Sequence, residues 1–394
     1  MKLLHPIYFL TLGLFGVYTI EFGVVGILPV IIERFAISAP QAGMLVGLFA
    51  LVIAVCGPVM VLLLSRFKRK KMLTLALFIF AITSVLSAYA PNFESLMVLR
   101  VIPALFHPVY FSLAFVAAVS LYPPHKATQA AAKAFVGTSM GMVLGVPLTT
   151  LIAAQFSYEA SFLFCALVNC IAGLGIIAKL PDSADKARVS YGEQLAILRK
   201  FPLWLNITAS TLIFAAMFSV YSYSAEYLAK EAGMSAQLIS ILLVIFGIGG
   251  VAGNLYAGKL IGQNMVRTTI LHPILLASAY GLLFLLSGPS FMTMVVLVVI
   301  WGATHTSGLI VTQIWLTSEA PEAPEFATGI YISFINLGVT IGSITGGWFL
   351  AHLGLQGTLY SGLLFAAFAL LVIVVKVLLF SANSPKGSAS AVTD

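Results

Sequence analysis

The chain has 394 residues, of which 60% are hydrophobic and only 8% are charged, with a formal net charge of +7. No water-soluble domain hides that much apolar surface, and apolar runs near 20 residues without two-residue alternation exclude an outer-membrane barrel, leaving an all-α polytopic membrane protein. The positive charge is spread over short connectors, so its counter-charge is anionic lipid and not nucleic acid.

The first apolar run, 7–31, carries one lysine ahead of it but no small-residue cleavage site, so it is expected to be retained as a span. Near its middle stands Glu21, about ten residues or roughly 15 Å from the outer end at 1.5 Å per residue. A carboxyl at that depth is costly and marks proton coupling, a cationic solute or a structural ion pair. Runs at 42–64, 72–90, 95–120, 129–154 and 160–180 complete a first set of six. The hairpin between the second and third is strongly basic, with Arg66, Lys68, Arg69, Lys70 and Lys71.

The fourth run, in LMVLRVIPALFHP, holds Arg100 and His107 and is interrupted by Pro103 and Pro108. Arg100 is expected either to face Glu21 across a cavity or to anchor at the outer headgroups. His107 is placed to relay protons or to bond a polar solute, with a neutral buried histidine as the bland alternative, and Tyr110 follows one turn later. The fifth run places Gly137, Gly141 and Gly145 at every fourth position, followed by Pro147. Cys56, Cys165 and Cys170 read as small buried hydrophobes; neither a disulfide framework, a metal site nor a cofactor motif is present.

A charged connector, 181–202, separates the bundle 1–180 from a second one, 203–380, with runs at 203–226, 236–260, 268–286, 291–316, 327–350 and 356–380. A tail, 381–394, is polar and expected to be disordered. The glycine triple recurs in the eleventh run as Gly338, Gly342 and Gly346 at a constant offset of 201, and His305 in the tenth echoes His107 at 198. Such duplication predicts two pseudo-symmetric six-helix bundles around a central path. Glycines at this spacing serve close helix packing in any case. Tyr221, Tyr223, Trp301, His305, Gln313, Tyr331 and Asn336, with Asn206, Thr304, Thr306 and Trp315, give the second bundle a mixture suited to a modestly polar solute.

With a cytoplasmic N-terminus, seventeen of the twenty Lys and Arg lie inside or at inner helix ends, so both termini are assigned to the cytoplasm. One inner connector dissents, carrying Glu319, Glu322 and Glu325 and no basic residue.

Over about residues 7–380 this layout resembles the major facilitator superfamily, and more narrowly its twelve-span proton-linked efflux branch of drug, sugar and nucleoside exporters. GTSMGMVLGVP (137–147) is similar to the fifth-helix glycine-proline motif of exporters, and the Arg100 segment to a fourth-helix motif tied to proton coupling. YTIEFGVVGILP and His107 resemble sugar-efflux members. The basic hairpin departs from the family pattern: VMVLLLSRFKRKK has Ser65 where an aspartate is usual, so locking through that aspartate is not available. Arg69 and Lys70 then act through lipid headgroups, helix ends, or the acidic trio at 319, 322 and 325 if the two inner surfaces approach.

The resemblance implies a monomeric inner-membrane carrier that exports a small organic solute against protons by alternating access. Glu21, Arg100 and His107 would couple the proton, and a facilitator or proton-coupled importer is the alternative. A membrane enzyme lacks a nucleophile–base or metal constellation, and a channel lacks polar rings.

Overall fold

The computed structural model describes residues 5–37, 39–182 and 190–380. The expected tail, 381–394, and residues 183–189 of the connector lie outside them. Twelve of the helices are long and apolar enough to cross a membrane. In chain order their helical cores are Pro6–Gly26, Ala39–Leu64, Arg69–Ala88, Phe93–Ser120, Ala127–Gln155, Tyr158–Lys179, Phe201–Tyr221, Ala236–Gln263, Met265–Leu286, Phe291–Thr317, Pro324–Leu353 and Gln356–Phe380.

Polar caps set several of the entry points. Asn92 accepts from the Ser95 amide at 2.8 Å to start the fourth span, and Ser157 accepts from Ala160 at 3.1 Å to start the sixth. Two expected spans are broken. The first ends at Gly26 and resumes as Leu28–Phe35, because Pro29 removes a helical donor; the seventh pauses at Ser222 and Tyr223 before Ser224–Lys230. Both breaks fall near the end of the first span of their bundle. The third span begins earlier than its apolar run, so Arg69, Lys70 and Lys71 form its first turn.

The glycine triples fix the matching pairs of spans. A Cβ on Gly137 would lie 2.1 Å from the Thr11 carbonyl, on Gly141 2.6 Å from Tyr18 Cβ, and on Gly145 3.1 Å from Thr19 Cα. Their counterparts Gly338, Gly342 and Gly346 would come within 2.3–2.4 Å of the carbonyls of Thr211, Ala215 and Ser219. The fifth span therefore presses backbone to backbone on the first, and the eleventh on the seventh. Past Pro147, Thr149 and Thr150 donate to the carbonyls of Gly23 and Gly26, at 2.7 and 3.0 Å, which the end of the first helix leaves without amide partners.

The bundles meet along the fifth and eighth spans and along the second and eleventh. Asn254 Nδ2 lies 2.5 Å from Ser139 Oγ, and Ser333 donates to the Ile53 carbonyl at 3.2 Å. These bonds lie between the middle of the molecule and the end bearing the 66–71 hairpin, termed here the basic end.

The connector contains a short helix, Tyr191–Ala196, opened by a reciprocal Ser190–Glu193 capping box. Accepting two bonds at Ser190 holds the Glu193 carboxyl below its ordinary range. Gln194 donates to Ser65 Oγ at 2.9 Å, so Ser65 contacts the connector in this chain.

Candidate functional site

Residues 100, 104, 107 and 111 recur at helical spacing and form one stripe on the fourth span facing the first. Glu21 meets it at His107: Glu21 Oε2 and His107 Nε2 are 3.0 Å apart, and the two side chains are only 7% and 1% exposed. The approach is not aligned as a hydrogen bond, so this is a close polar contact held by packing. Tyr18 tilts over the histidine at 5.1 Å, and Phe49 meets its ring edge-on at 6.1 Å.

Arg100 is buried and does not anchor at headgroups. Nor does it pair with the Glu21 carboxylate. Its guanidinium donates to the main-chain carbonyls of Ile20 at 2.5 Å and Glu21 at 3.2 Å, and stacks on Phe49 at 4.5 Å. The planar fork suits two adjacent carbonyls, whereas the carboxylate turns away toward His107. Arg100 therefore fixes the backbone that carries Glu21.

In the second bundle His305 is boxed by Phe218, Tyr221 and Phe246, with ring centroids at 5.7, 5.1 and 5.2 Å. Among the described residues neither of its ring nitrogens has a hydrogen-bond partner. A small cavity between the bundles joins His305 to Ser139, Met142 and Thr306. The two histidines are linked by a ribbon of rings. It runs from His107 through Tyr18 and Phe111, crosses the bundle interface to Tyr331 at 6.4 Å, and continues through Phe214 and Phe218 to His305.

Most other expected solute contacts have one polar group bonded within the protein, while Gln313 Oε1 and Asn206 Oδ1 have no partner among the described residues. Tyr110 donates to the Leu10 carbonyl, Gln313 to Thr328, Asn336 to the Ile332 carbonyl and Tyr223 to the Ser343 carbonyl. Asn206 donates to the Trp315 carbonyl. Trp301 packs edge-on to Phe246 at 5.0 Å, behind the histidine box. Tyr331 keeps its ring on the ribbon while its hydroxyl bonds the Leu309 carbonyl.

The acidic connector has a cation for every acid. Glu319 meets Lys376 at 2.5 Å, Glu322 meets Lys200 at 2.5 Å, and Glu325 accepts from Arg69 Nε and Nη2 at 2.9 and 2.7 Å. The first pair stays within the second bundle, the second ties that bundle to the 181–202 connector, and the third joins the bundles across the basic end. Burial raises the Glu322 carboxyl, but the Lys200 hydrogen bond and charge outweigh it and leave it lowered. Lys70 instead approaches Asp182 at 3.9 Å. Lys376, a lone lysine in the last apolar run, also lies 4.1 Å over the Trp315 ring. Its isolation there was a signal comparable to that of Glu21.

Two duplicated six-helix bundles, closed at one end and enclosing a buried acid–histidine pair, define a carrier fold and not an enzyme. The chain belongs to the Major Facilitator Superfamily, whose family model matches residues 10–324 and 207–393. It is 32% identical over 375 residues to the Inner membrane transport protein YdhP of Escherichia coli (strain K12), covering 95% of this chain and 96% of that one. It is 27% identical over 364 residues to a Probable sugar efflux transporter of Mannheimia succiniciproducens, covering 92% and 91%. Among solved structures, the Escherichia coli fucose:proton symporter FucP aligns with a TM-score of 0.74 at 15% identity, over 95% of this chain and 99% of that one. A human organic anion transporter aligns at 0.75 and 15%, over 93% and 98%.

Proposed function

We propose that the chain is a proton-coupled carrier of a small organic solute, working by alternating access in a bacterial inner membrane with the basic end and both termini cytoplasmic. The buried Glu21–His107 contact carries this reading. The carboxyl and the imidazole lie 3.0 Å apart, close enough for a charge on one to be felt by the other, and their surroundings of Tyr18, Phe49 and lipid-depth backbone penalise any uncompensated charge. Proton uptake by Glu21 removes its negative charge and so changes its contact with His107. That releases the side-chain contact between the first and fourth spans, while Arg100 of the fourth keeps their backbones tied so that the two move as one unit.

The solute site is the ribbon of rings between His107 and His305, where the free His305 nitrogens orient a polar group. Closure at the basic end through Arg69–Glu325 leaves the opposite end as the route of exchange in this state. Export is the direction proposed, supported by the names of sugar-efflux relatives at 27% and 29% identity. Proton-coupled import is the second reading, since one solved structure of the same fold is titled a fucose:proton symporter.

Purified protein in weakly buffered detergent distinguishes them. A panel of a lipophilic amine, a hexose and a nucleoside is added while pH is recorded. Antiport predicts proton release on binding, and symport predicts proton uptake; binding independent of pH from about 5 to 9 removes the coupling reading.

A further inference from the structure

The basic hairpin opens onto a second feature that transport does not use. A groove of about 540 Å³ lies on the outer flank of the first bundle, between the third and sixth spans at the basic end. That volume is in the ~300–1,000 Å³ range of small-ligand sites. Its chemistry is layered along the helix axis. Lys68, Lys70 and Lys71 rim it at the first turn of the third span. One turn deeper lies Thr74, whose hydroxyl is buried without a hydrogen-bond partner. Leu75 and Phe78 follow on the face of Lys71, opposite Ile177 of the sixth span. Leu75 and Ile177 are 43% and 47% exposed, outward from the bundle, where hydrocarbon lies.

Lys71 to Phe78 spans seven residues, so charge gives way to apolar surface within about 10 Å. This matches the passage from lipid headgroup to acyl chain. Among the described residues Asp182 is the only acid lining the groove, 3.9 Å from Lys70. Three lysines against one carboxylate leave a surplus of positive charge. The third helix also starts without a side-chain cap, so its first amides face the same rim.

We propose that this groove binds one anionic glycerophospholipid, its phosphate between Lys68, Lys70 and Lys71 and one acyl chain along Leu75, Phe78 and Ile177. Arg69 stands in the same turn and bridges to Glu325. A bound phosphate relieves the repulsion among these neighbouring cations and favours the closed basic end. The inference does not depend on the solute, the coupling ion or the direction of transport.

The test is native mass spectrometry of the full chain from micelles holding equal phosphatidylglycerol and phosphatidylethanolamine. The expected result is one retained phosphatidylglycerol. It should fall at least tenfold in the combined Lys68→Gln, Lys70→Gln, Lys71→Gln variant while the melting temperature in detergent is unchanged. Leu75→Asn tests the apolar floor and should also weaken retention if the triple variant fails to fold. Neutralising Lys259 and Arg267 at the same end of the second bundle should have no effect. Equal retention of both lipids, equal loss in the Lys259/Arg267 variant, or equal competition by soluble glycerol phosphate would each overturn the proposal.

Discussion

Glu325→Gln removes the charge on the one ion pair that, among the described residues, ties the two bundles together at the basic end, while preserving side-chain shape. Arg69 reaches Glu325 Oε1 through two nitrogens at 2.9 and 2.7 Å, and the side chains are 20% and 21% exposed. Fully exposed pairs contribute about 0–1 kcal/mol, and hydrogen bonds to charged groups about 1.5–3. A pair four-fifths buried falls between, and glutamine keeps a neutral hydrogen bond, so the loss is about 1–2 kcal/mol. That converts to a ~5- to 30-fold shift away from the state closed at the basic end. Spin labels at Phe67 and Gln263, in a background lacking the three cysteines, report the separation of the two bundles there. The substitution should move population to longer distances, and Arg69→Glu with Glu325→Arg should restore the short ones. Lys200→Gln breaks a pair between the end of the connector and the second bundle, not between the bundles, and should leave the distribution alone. A Glu325→Gln distribution identical to the parent's would refute the lock.

Three further outcomes follow from separate contacts. Gly342→Val places a side chain where a Cβ already lies 2.3 Å from the Ala215 carbonyl, so the seventh and eleventh spans must separate; overpacking of about 1–3 kcal/mol should appear as a lower melting temperature in detergent. Arg100→Lys replaces a fork on the Ile20 and Glu21 carbonyls with a single ammonium, and solute flux per folded protein should fall at least tenfold; an unchanged flux contradicts the positioning role. The lowered Glu322 carboxyl contributes stability above the ordinary value of 4.5, lost as pH falls through its lower folded-state value, so Lys200→Met should reduce the melting temperature slightly at neutral pH, with the effect shrinking as pH falls below 4.5, read by a melting series.

Much of this architecture was readable because membrane spans are written in length and hydropathy. The duplication was equally plain in the glycine triples, whose small side chains have one dominant use. The helix breaks at Ile27 and Ser222–Tyr223 were not, since the apolar runs continue through them and only Pro29 hinted at the first. Glu21, Arg100 and His107 stood out because a polar group in lipid needs a reason. Their wiring was hidden: Arg100 was expected to seek a carboxylate or a headgroup, yet main-chain carbonyls satisfy it, and these are present at every residue and leave no sequence mark. The histidine box was also invisible. Phe218 and Phe246 are two of 28 phenylalanines, and only folding distinguishes a ring on a solute path from one facing lipid. The acidic connector showed its charges but not their assignment, because Lys200, Lys376 and Arg69 come from three distant stretches.

The central claim is that Glu21 carries the coupling proton. In proteoliposomes Glu21→Gln should abolish solute accumulation driven by an imposed proton gradient while leaving solute-for-solute exchange intact, since a neutral side chain still permits the loaded carrier to reorient. Gradient-driven accumulation at the parent's rate in Glu21→Gln would contradict it.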